Sequence, residues 1–455
     1  MTGWQALRGL VDGELRLPGD PGFAETGSPV NRRFAAVRPA AVLSAAHAGD
    51  VALAVEWART ESVPLAVRGG GHSYAGYCVS TGLVLDLRNL AGIRFDPDTG
   101  QVTVGGGTPM RALYAALRPY DVTFPLGNSD TVGIGGLTLG GGVTTISRAH
   151  GLTCDALVST DVVLADGTRV TASAREHPDL FWACQGGGGG NFGVNTGFTF
   201  RTRPAPAGST CLALWSWPHA VDVLATMQEI MLTAPDGFSA RIGIARSSNG
   251  ADGGDSAVSV VGHHLGPSAE LRELMAPAFA IAAPGRADIE DRDFWAAATY
   301  LHHSSAGGAF AVRTRCTPHE IDDAGLTTLV RAVDKWPGSG NPDGAGAALF
   351  AWGGAISRVP VADTAFPHRD TRFLLSLDTS WTEADPPETV RANLEWLHAL
   401  HAATGEFAPD AAYVNFTDPD LEGWQRAYYG PNAGRLAEVK RRYDPDRFFT
   451  FPQAV

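Results

Sequence analysis

Residues 67–76 read VRGGGHSYAG, a segment that places Arg68, three glycines and His72 directly after the strand-like run PLAVR. Three further glycine clusters occupy residues 105–107, 133–142 and 186–190, all in the first half of the chain. Glycine is costly to order, so this density indicates places where the backbone must approach a ligand closely. Loops of this kind can bind a pyrophosphate through successive backbone N–H groups.

The two best-known nucleotide-binding motifs do not account for these clusters. The chain contains no GK[ST] sequence, which excludes a Walker A loop. Residues 188–193 match GxGxxG, but the strand-like run VNTGFTF follows them where a Rossmann motif requires a helix. In residues 133–142, Thr138 stands where the third glycine of that motif would be required. A nicotinamide-binding Rossmann domain is therefore disfavoured.

Composition narrows the class of protein. With 455 residues, of which 44% are hydrophobic, the chain is long enough for about two or three domains with large cores. The formal net charge is −13 and no basic tract is present, which argues against nucleic acid and anionic membranes as partners. The five cysteines lie far apart in the sequence and predict reduced, buried thiols rather than disulfides or a zinc site.

Two further expectations concern localisation and metal content. No apolar run approaches the roughly 20 residues of a membrane span, and the N-terminus does not resemble a signal peptide, so we expect a cytoplasmic protein. The adjacent pairs His263–His264 and His302–His303 would point to opposite faces of a strand. We therefore expect no metal site at either pair.

The order of secondary structure predicts two kinds of domain. Strands and helices alternate up to about residue 150, with Asp50 as the expected cap of the helix that follows it. A hairpin is predicted at Asp166–Gly167, between two β-rich runs. After the proline-rich segment PAPAGS, long helical periods and strand-like runs predict an antiparallel sheet backed by helices. The last 45 or so residues look like a return to the first domain.

Several motifs, kept in order, resemble those of the berberine bridge enzyme-like FAD-linked oxidases. They are VRGGGHSYAG, TGLVLDLRNL, TVGIGGLTLGGG, GLTCDALVSTDVVLADG and DLFWACQGGGGGNFGVNTGFTF, followed near the C-terminus by YVNF and RLAEVKRRYDP. This family has the vanillyl-alcohol oxidase flavoprotein fold, which implies an α+β architecture. The resemblance implies a bipartite FAD-binding domain, residues 1–205 and 406–455, with an inserted α/β substrate domain, residues 206–405.

The resemblance also implies how FAD is bound. Arg68 to His72 would wrap the pyrophosphate, and His72 stands at the family position that is joined covalently to the flavin 8α-methyl carbon. Many members have a second link through a cysteine, but Ser129 occupies that position here, so a single covalent bond is expected. The other cofactor-binding positions that the resemblance implies are Gly69, Gly70, Gly71, Ser73, Gly76, Thr131, Val132, Gly135, Gly136, Gly140, Gly142, Gly190, Asn191, Gly193, Val194, Tyr413 and Asn415.

One of these positions bears on the electron acceptor. Val132 stands where the family places a gatekeeper beside flavin C4a. A valine there leaves room for O2, which favours an oxidase that makes hydrogen peroxide. A strand-end valine selected for packing is the alternative interpretation.

Two residues are candidates for the catalytic base. Tyr413, in the segment YVNF, is the first, because relatives often take their base from this segment or from the substrate-domain sheet. A tyrosine has a pKa near 10, so it requires activation by a neighbouring charge. The run FLLSLDTSW alternates, so Leu374, Ser376 and Asp378 share one face of a strand. Asp378 is the second candidate, as the base or as the partner of Tyr413; a tyrosine packed on the flavin and a solvent-facing aspartate are the alternatives.

Together these observations predict an FAD-dependent oxidase. It would oxidise a hydroxyl or activated C–H of a small natural-product intermediate by hydride transfer to flavin N5, with O2 as acceptor. Oxidation of an oligosaccharide at its anomeric carbon is one alternative, and a dehydrogenase with another acceptor is a second. A protein that binds flavin without turnover is the alternative from a different class.

Overall fold

The computed structural model describes residues 3–247, 256–302 and 307–455, so His303 of the second histidine pair lies outside the described residues. The strands are, in chain order, β1 Glu14–Arg16, β2 Ala41–Ser44, β3 Leu65–Arg68, β4 Leu83–Asp86, β5 Ile93–Asp96, β6 Gln101–Gly105, β7 Val122–Thr123, β8 Leu157–Val163, β9 Arg169–Ser173, β10 Val194–Arg201, β11 Arg203–Pro204, β12 Gly208–Ser216, β13 Phe238–Arg246, β14 Ser256–His264, β15 Arg286–Arg292, β16 Ala309–Thr317, β17 Ala345–Ala351 and β18 Phe373–Trp381. The α-helices are α1 Gly3–Leu10, α2 Phe23–Gly27, α3 Ala48–Thr60, α4 Met110–Leu117, α5 Ile134–Leu139, α6 Ser147–His150, α7 Pro178–Ala183, α8 Ala220–Thr233, α9 Ser268–Ile281, α10 Phe294–Tyr300, α11 Asp323–Asp334, α12 Ala355–Arg358, α13 Pro387–Ala403, α14 Trp424–Tyr429 and α15 Ala433–Tyr443.

Two sheets in the first half of the chain lead into the glycine clusters. One has the order β1-β2-β4-β3, and its strand β3 ends at Arg68, immediately before the first cluster. The other is antiparallel, with the order β5-β6-β10-β8-β9. The hairpin predicted at Asp166–Gly167 is confirmed, because this pair joins β8 to β9 and Gly167 has a φ of 81°. The GxGxxG match is followed by β10 and not by a helix.

The helix after β2 begins earlier than the sequence predicted. Helix α3 starts at Ala48, and its N-cap is His47, whose ring nitrogen accepts the backbone N–H of Asp50. The prediction of Asp50 as the cap is therefore wrong. The buried Asp50 carboxylate instead accepts the backbone N–H groups of Asp12 and Ala46, at 2.9 and 2.7 Å. A carboxylate in the first turn of a helix can accept hydrogen bonds from N–H groups outside that helix. The Asp50 carboxylate therefore stabilises the neighbouring chain and does not cap its own helix.

The predicted antiparallel sheet backed by helices is confirmed in the middle of the chain. Within the described residues its strands have the order β15-β12-β14-β13-β17-β18-β16, and every pair is antiparallel. One face packs against α8, α9, α11 and α13 to form a large apolar core. The opposite face, here called the inner face, carries the alternate residues of each strand. On the central strands these are Arg241, Gly243, Gly346, Ala348, Phe350, Leu374, Ser376 and Asp378.

The inner face is turned toward the glycine-bearing loops. A ring nitrogen of His263 lies 3.3 Å from the hydroxyl of Thr145, which follows the third cluster. The ring of Phe310 on β16 meets the ring of Tyr74 edge-on, with centroids 5.0 Å apart. Leu374 is buried in one cluster with Leu152, Cys154 and Tyr413. A site formed between the loops and the inner face is therefore enclosed by residues distant in sequence.

Two expectations about the chain as a whole can be compared with the fold. All five cysteines are free and buried, as the sequence predicted. Among the described helices, none combines the length and the apolar character that crossing a bilayer requires.

Candidate functional site

The first and third glycine clusters are in direct backbone contact. A Cβ atom on Gly70 would lie 2.4 Å from the backbone nitrogen of Gly133 and 2.7 Å from the carbonyl oxygen of Thr131. A Cβ on Gly133 would in turn lie 2.5 Å from the backbone nitrogen of Gly70. Such distances do not occur for real Cβ atoms, so both positions require glycine for this close approach.

The second and fourth clusters meet the third at helix α5. A Cβ on Gly135 would lie 2.9 Å from the carbonyl oxygen of Gly106, so the second cluster packs against this helix. The backbone N–H groups of Gly186 and Gly188 both donate to the carbonyl of Leu139, at 3.1 and 2.8 Å. Leu139 is the last residue of α5. The four clusters, which are widely separated in the sequence, therefore surround one short helix.

The loop of residues 69–76, here called the histidine loop, presents backbone donors. Within the described part of the chain, the N–H groups of residues 70–74 donate to no backbone carbonyl, and of the five only that of Ser73 has a partner, the buried thiol of Cys78. Gly71 and Gly76 have φ values of 76° and 72°, a left-handed conformation that favours glycine. Backbone N–H groups normally find an acceptor, so a row of free donors suits the oxygens of an anionic ligand. The loop fits the pyrophosphate of a dinucleotide.

His72 lies in the middle of this row of donors. Its Nε2 atom is 2.9 Å from the hydroxyl of Thr131. Burial and the positive charge of Arg68 lower the pKa of His72 to about 4, so its imidazole is neutral at neutral pH. The segment that contains Thr131 also contains Ser129, whose carbonyl oxygen accepts the backbone N–H of Val132 at 3.2 Å. The structure thus brings together the histidine and the serine that the sequence singled out.

The Arg68 side chain supports the histidine loop from behind. Its guanidinium donates to the carbonyl oxygens of Thr26 and Ser28, at 2.8 and 2.5 Å. A Cβ on Gly71 would lie 2.9 to 3.0 Å from this guanidinium, so the loop passes directly over it. The prediction that residues 68–72 wrap a pyrophosphate therefore depends on their backbone N–H groups and not on the Arg68 side chain.

Residues 190–194 are fixed by the C-terminal helix. The buried ammonium of Lys440 donates to the carbonyl oxygen of Asn191 at 2.6 Å and pairs with Asp444 at 2.7 Å. The Asn191 side chain accepts the backbone N–H of Val455 at 3.0 Å. Because a buried ammonium requires such partners, α15 holds the end of the fourth cluster in a fixed position.

Asn415 closes the third cluster from the C-terminal side. Its amide donates to the carbonyl of Leu137 at 2.9 Å. A Cβ on Gly140 would lie 2.1 Å from its Oδ1 atom, so Gly140 has to be glycine for this contact. Gly136, by contrast, is exposed, and a Cβ there would meet no atom within 4 Å. Of these two predicted cofactor-site glycines, only Gly140 is required by its neighbours.

Tyr413 lies where the third cluster meets the inner face. Its buried hydroxyl accepts the backbone N–H groups of Gly142 and Val143, at 3.0 and 3.2 Å, and the amide of Asn415, at 3.0 Å. Burial raises the pKa of Tyr413 to about 12, although the three N–H donors act in the opposite direction. No hydrogen bond joins this hydroxyl to Asp378 among the described residues. The oxygen of Tyr413 is thus already occupied as an acceptor.

Asp378 lies on the inner face of β18, as the alternation predicted. Its neighbours Leu375 and Leu377 point into the helix-backed core on the other side. Burial raises the pKa of Asp378 to about 6, while the charge of Arg241 acts to lower it. The residue paired with it on β17 is Gly346, which places no side chain beside the carboxylate, and a Cβ there would lie 2.3 Å from the carbonyl oxygen of Ile244. A carboxylate with this pKa is ionised at neutral pH and is able to accept a proton from a hydroxyl.

Aromatic rings line the space between Asp378 and the histidine loop. The ring of Tyr74 stacks on that of Phe416, with centroids 5.1 Å apart and an angle of 18°. Phe350 meets Phe416 edge-on at 6.1 Å. Burial and the nearby Asp378 charge raise the pKa of Tyr74, so its hydroxyl stays protonated. Among the described residues this hydroxyl has no hydrogen-bond partner, which leaves it available to a ligand.

Three members of this site were not identified from the sequence: Tyr74, Arg241 and Phe350. Tyr74 stands two residues after His72, and this proximity was the signal that could have found it. Arg241 interrupts the apolar strand FSARIGIA on the face opposite Ile242 and Ile244, which is an unusual place for a cation. Phe350 had no such signal, because an aromatic residue in a strand is more often part of a core.

Comparison with known proteins supports a flavoprotein site. Residues 39–173 match the family described as "FAD binding domain", and residues 412–455 match the one described as "Berberine and berberine like". The chain is 31% identical to the FAD-linked oxidoreductase YgaK of Bacillus subtilis (strain 168), over 98% of this chain and 97% of that protein. It is 28% identical to the xylooligosaccharide oxidase of Thermothelomyces thermophilus, over 94% of this chain and 89% of that protein. The solved structure of Physcomitrella patens BBE-like 1 has a TM-score of 0.89 and 26% identity, covering 100% of this chain and 99% of that one.

Proposed function

Because this chain belongs to the berberine bridge enzyme-like FAD-linked oxidoreductases, we propose that it is an oxidase of a hydroxyl or activated C–H on a small natural-product intermediate. It is an FAD-binding enzyme with the α+β vanillyl-alcohol oxidase fold. The observation that carries the proposed chemistry is the Asp378 carboxylate, with its pKa of about 6, on the face turned toward the histidine loop. The Asp378 carboxylate is therefore a base on the face that is turned toward the glycine-bearing loops.

FAD is attached, in this proposal, through one covalent bond to His72. The free N–H groups of Gly70, Gly71, His72 and Tyr74 would bind its pyrophosphate, with residues 131–142 and 190–194 around them. The lowered pKa of His72 supports this assignment, because only a neutral imidazole nitrogen is a nucleophile. Ser129 replaces the cysteine of doubly linked relatives, so no second link is proposed.

In the proposed reaction Asp378 accepts the proton of the substrate hydroxyl as the carbinol carbon loses its hydride. When bound, FAD would supply the hydride acceptor at N5, and O2 would be reduced to hydrogen peroxide with those two electrons, that hydrogen and the proton taken up by Asp378. The Tyr74 hydroxyl donates to the substrate oxygen and orients it toward Asp378. The aromatic rings of Phe350 and Phe416 exclude water from this space, which strengthens the interactions of both polar groups.

Tyr413 has a different role in this proposal. Its oxygen already accepts three N–H groups, two of them from the backbone of residues 142 and 143. It holds the end of the third glycine cluster against the inner face. The alternative is that Tyr413 is itself the base. This role requires a neighbouring positive charge to lower its pKa, and no such charge acts on it among the described residues.

O2 is the proposed acceptor, and the supporting residue is Val132. Its short side chain is half-buried on the segment that faces His72. Val132→Leu should slow reoxidation of the reduced enzyme by O2 in stopped-flow mixing without slowing reduction by substrate. Slow reoxidation of the unmodified enzyme would instead favour a dehydrogenase that uses another acceptor.

We also propose the division into an FAD-binding domain of residues 1–205 and 406–455 and a substrate domain of residues 206–405. The contacts of Lys440, Asn415 and Tyr413 with the glycine clusters support it. Free, buried cysteines are consistent with the proposed cytoplasmic localisation.

The second candidate function is oxidation of an oligosaccharide at its anomeric carbon. The observation that favours it is the similarity to a xylooligosaccharide oxidase over most of both chains. A panel of aromatic alcohols and of xylo-, cello- and chito-oligosaccharides, assayed for peroxide release, distinguishes the two. Peroxide release with the sugars alone would replace the first proposal by the second.

The central test is denaturation of the purified holoprotein with acid. Wild-type protein should keep its yellow colour in the precipitate, whereas His72→Ala should release its flavin into the supernatant. Ser129→Ala, the matched control on the facing segment, should retain flavin like the wild type. Release of flavin from the wild type would overturn the covalent link.

A further inference from the structure

Arg241 is the one cation identified on the central strands of the inner face, and its side chain lies along its own strand. A Cβ atom on Gly243, two residues further along β13, would be 2.9 Å from Nη1 of Arg241 and 3.2 Å from the hydroxyl of Ser259. The guanidinium carbon is 5.7 Å from the ring centroid of Phe350 on the neighbouring strand. Gly243 therefore makes the room in which the guanidinium rests.

This guanidinium has no hydrogen-bond or ion-pair partner within residues 3–247, 256–302 and 307–455. Two buried arginines differ from it in this respect: Arg315 and Arg369 each bind a carboxylate and at least one further oxygen. Arg241 is half-buried, and the five N–H donors of its guanidinium are left to solvent or to a ligand. Its position thus fits a residue that receives its partner from a ligand.

Asp378 is the charged group that faces Arg241. Each acts on the other electrostatically, but the two do not approach to ion-pair distance. The positions between them on β17 and β18 are small: Gly346, Ala348 and Ser376. A molecule lying over these small residues can present an anionic oxygen to Arg241 and a hydroxyl to Asp378 at the same time.

We propose that Arg241 binds a carboxylate of the substrate, so that the substrates of this enzyme are hydroxy acids rather than neutral alcohols or neutral sugars. This inference rests on the proposed function, because it assigns the hydroxyl to Asp378. A planar carboxylate matches the two-pronged geometry of a guanidinium. A dianionic phosphate is disfavoured, since Asp378 would repel it and only one cation compensates.

The test is a titration of the oxidised holoenzyme at pH 8, followed by the change in flavin absorbance. The probes are two isosteric pairs, benzoate with benzamide and glycolate with glycolamide. The carboxylate of at least one pair should bind about tenfold or more tightly than its amide. Arg241→Gln should abolish this preference, and Arg241→Lys should retain part of it. Arg246→Gln, on the same strand but paired with Asp334 on the helix side, is the matched control and should bind like the wild type.

Each outcome has a definite meaning. Equal affinity of the wild type for carboxylates and amides, or an unchanged preference in Arg241→Gln, overturns the role of Arg241. If Arg241→Gln does not fold, the wild-type comparison and Arg241→Lys decide. Protein that purifies without flavin would overturn the proposed function itself, whereas a flavoprotein with no carboxylate preference overturns only this inference.

Discussion

The histidine loop and the inner face enclose the same space but are built on opposite principles. The loop contributes backbone N–H groups, and Gly70 is required in it because a Cβ there would strike the backbone of Gly133. The inner face contributes side chains, chiefly Arg241 and Asp378, above a floor of glycine and alanine. A backbone site has to be specified by consecutive residues, whereas a side-chain site can be assembled from separate strands.

This difference predicts how the two halves respond to substitution. In the proposed function the dinucleotide is bound by backbone N–H donors, so the loop is sensitive to added atoms but needs few special side chains. Recognition of the substrate depends on two charged groups, each replaceable by one substitution on a rigid strand. Changes at the loop should therefore remove the cofactor, and changes on the inner face should alter the reaction or the ligand.

The largest effect is expected from Gly70→Ala. The added Cβ would lie 2.4 Å from the nitrogen of Gly133, so the two loops must separate and the row of donors is lost. We expect flavin content per polypeptide, measured by absorbance, to fall by about tenfold or more. Gly434→Ala, where a Cβ meets nothing within 4 Å, is the control. Full flavin content in Gly70→Ala would show that loop contact is not required.

A large effect confined to the reaction is expected from Asp378→Asn. Flavin content should be normal, while kcat/KM falls by about 10²–10⁴-fold because the base is removed. In the wild type kcat/KM should rise with pH through about 6 and then level off, since Asp378 must lose its proton to act. The charged groups that act on it are Arg241, which lowers its pKa, and Asp343, which raises it, while the neighbouring Tyr74 stays protonated. An unchanged pH profile in the variant would exclude Asp378 as the base.

The same variant should be more stable than the wild type at pH 8. The folded state binds the Asp378 proton more tightly than the unfolded state, so stability is lost as pH rises from 3.8 through about 6. Asparagine cannot ionise, and we expect a gain on the order of 2 kcal/mol in the free energy of unfolding. Denaturant titrations at pH 8 and at pH 4 measure it. A gain of equal size at both values would assign the effect to packing rather than to charge.

An intermediate effect is expected from Tyr413→Phe, which separates the two candidate bases. Loss of the hydroxyl leaves the N–H groups of Gly142 and Val143 without an acceptor, at a cost of about 1–3 kcal/mol in stability. Activity should fall much less than in Asp378→Asn. Tyr120→Phe, at an exposed tyrosine, is the control. An activity loss as large as that of Asp378→Asn, with unchanged stability, would identify Tyr413 as the base.

The smallest effect is expected from Gly243→Ala, which moves the Arg241 guanidinium without removing its charge. The new Cβ would lie 2.9 Å from Nη1, and the flexible end of the side chain can shift away. Benzoate binding to the holoenzyme should weaken by roughly twofold to fivefold, well under 1.4 kcal/mol. Tighter or unchanged binding would show that the carboxylate does not contact the guanidinium at this position.

The glycine motifs made the fold and the cofactor half of the site predictable. Residues 69–71 and 186–190 each lie in one loop, and residues 133–142 form α5 with its two ends, so each cluster is contiguous in the sequence. The hairpin at Asp166–Gly167 and the helix-backed antiparallel sheet were likewise predictable, since turn chemistry and alternation are local. Asp50 shows the limit of such local signals. Its carboxylate accepts the backbone N–H of Asp12, a contact distant in sequence that a helix-capping rule does not take into account.

The sequence by itself, through its resemblance to a known family, identified an FAD-binding chain, and it placed His72, Ser129 and Asp378 as residues to examine. Only the tertiary structure decided that the Tyr413 hydroxyl is occupied by N–H groups 270 and 271 residues away. Only the tertiary structure, too, placed Arg241 opposite Asp378 with small residues between them. The physical reason is that backbone requirements constrain consecutive residues, whereas the pairing of charges across a sheet depends on a strand order that does not follow the chain.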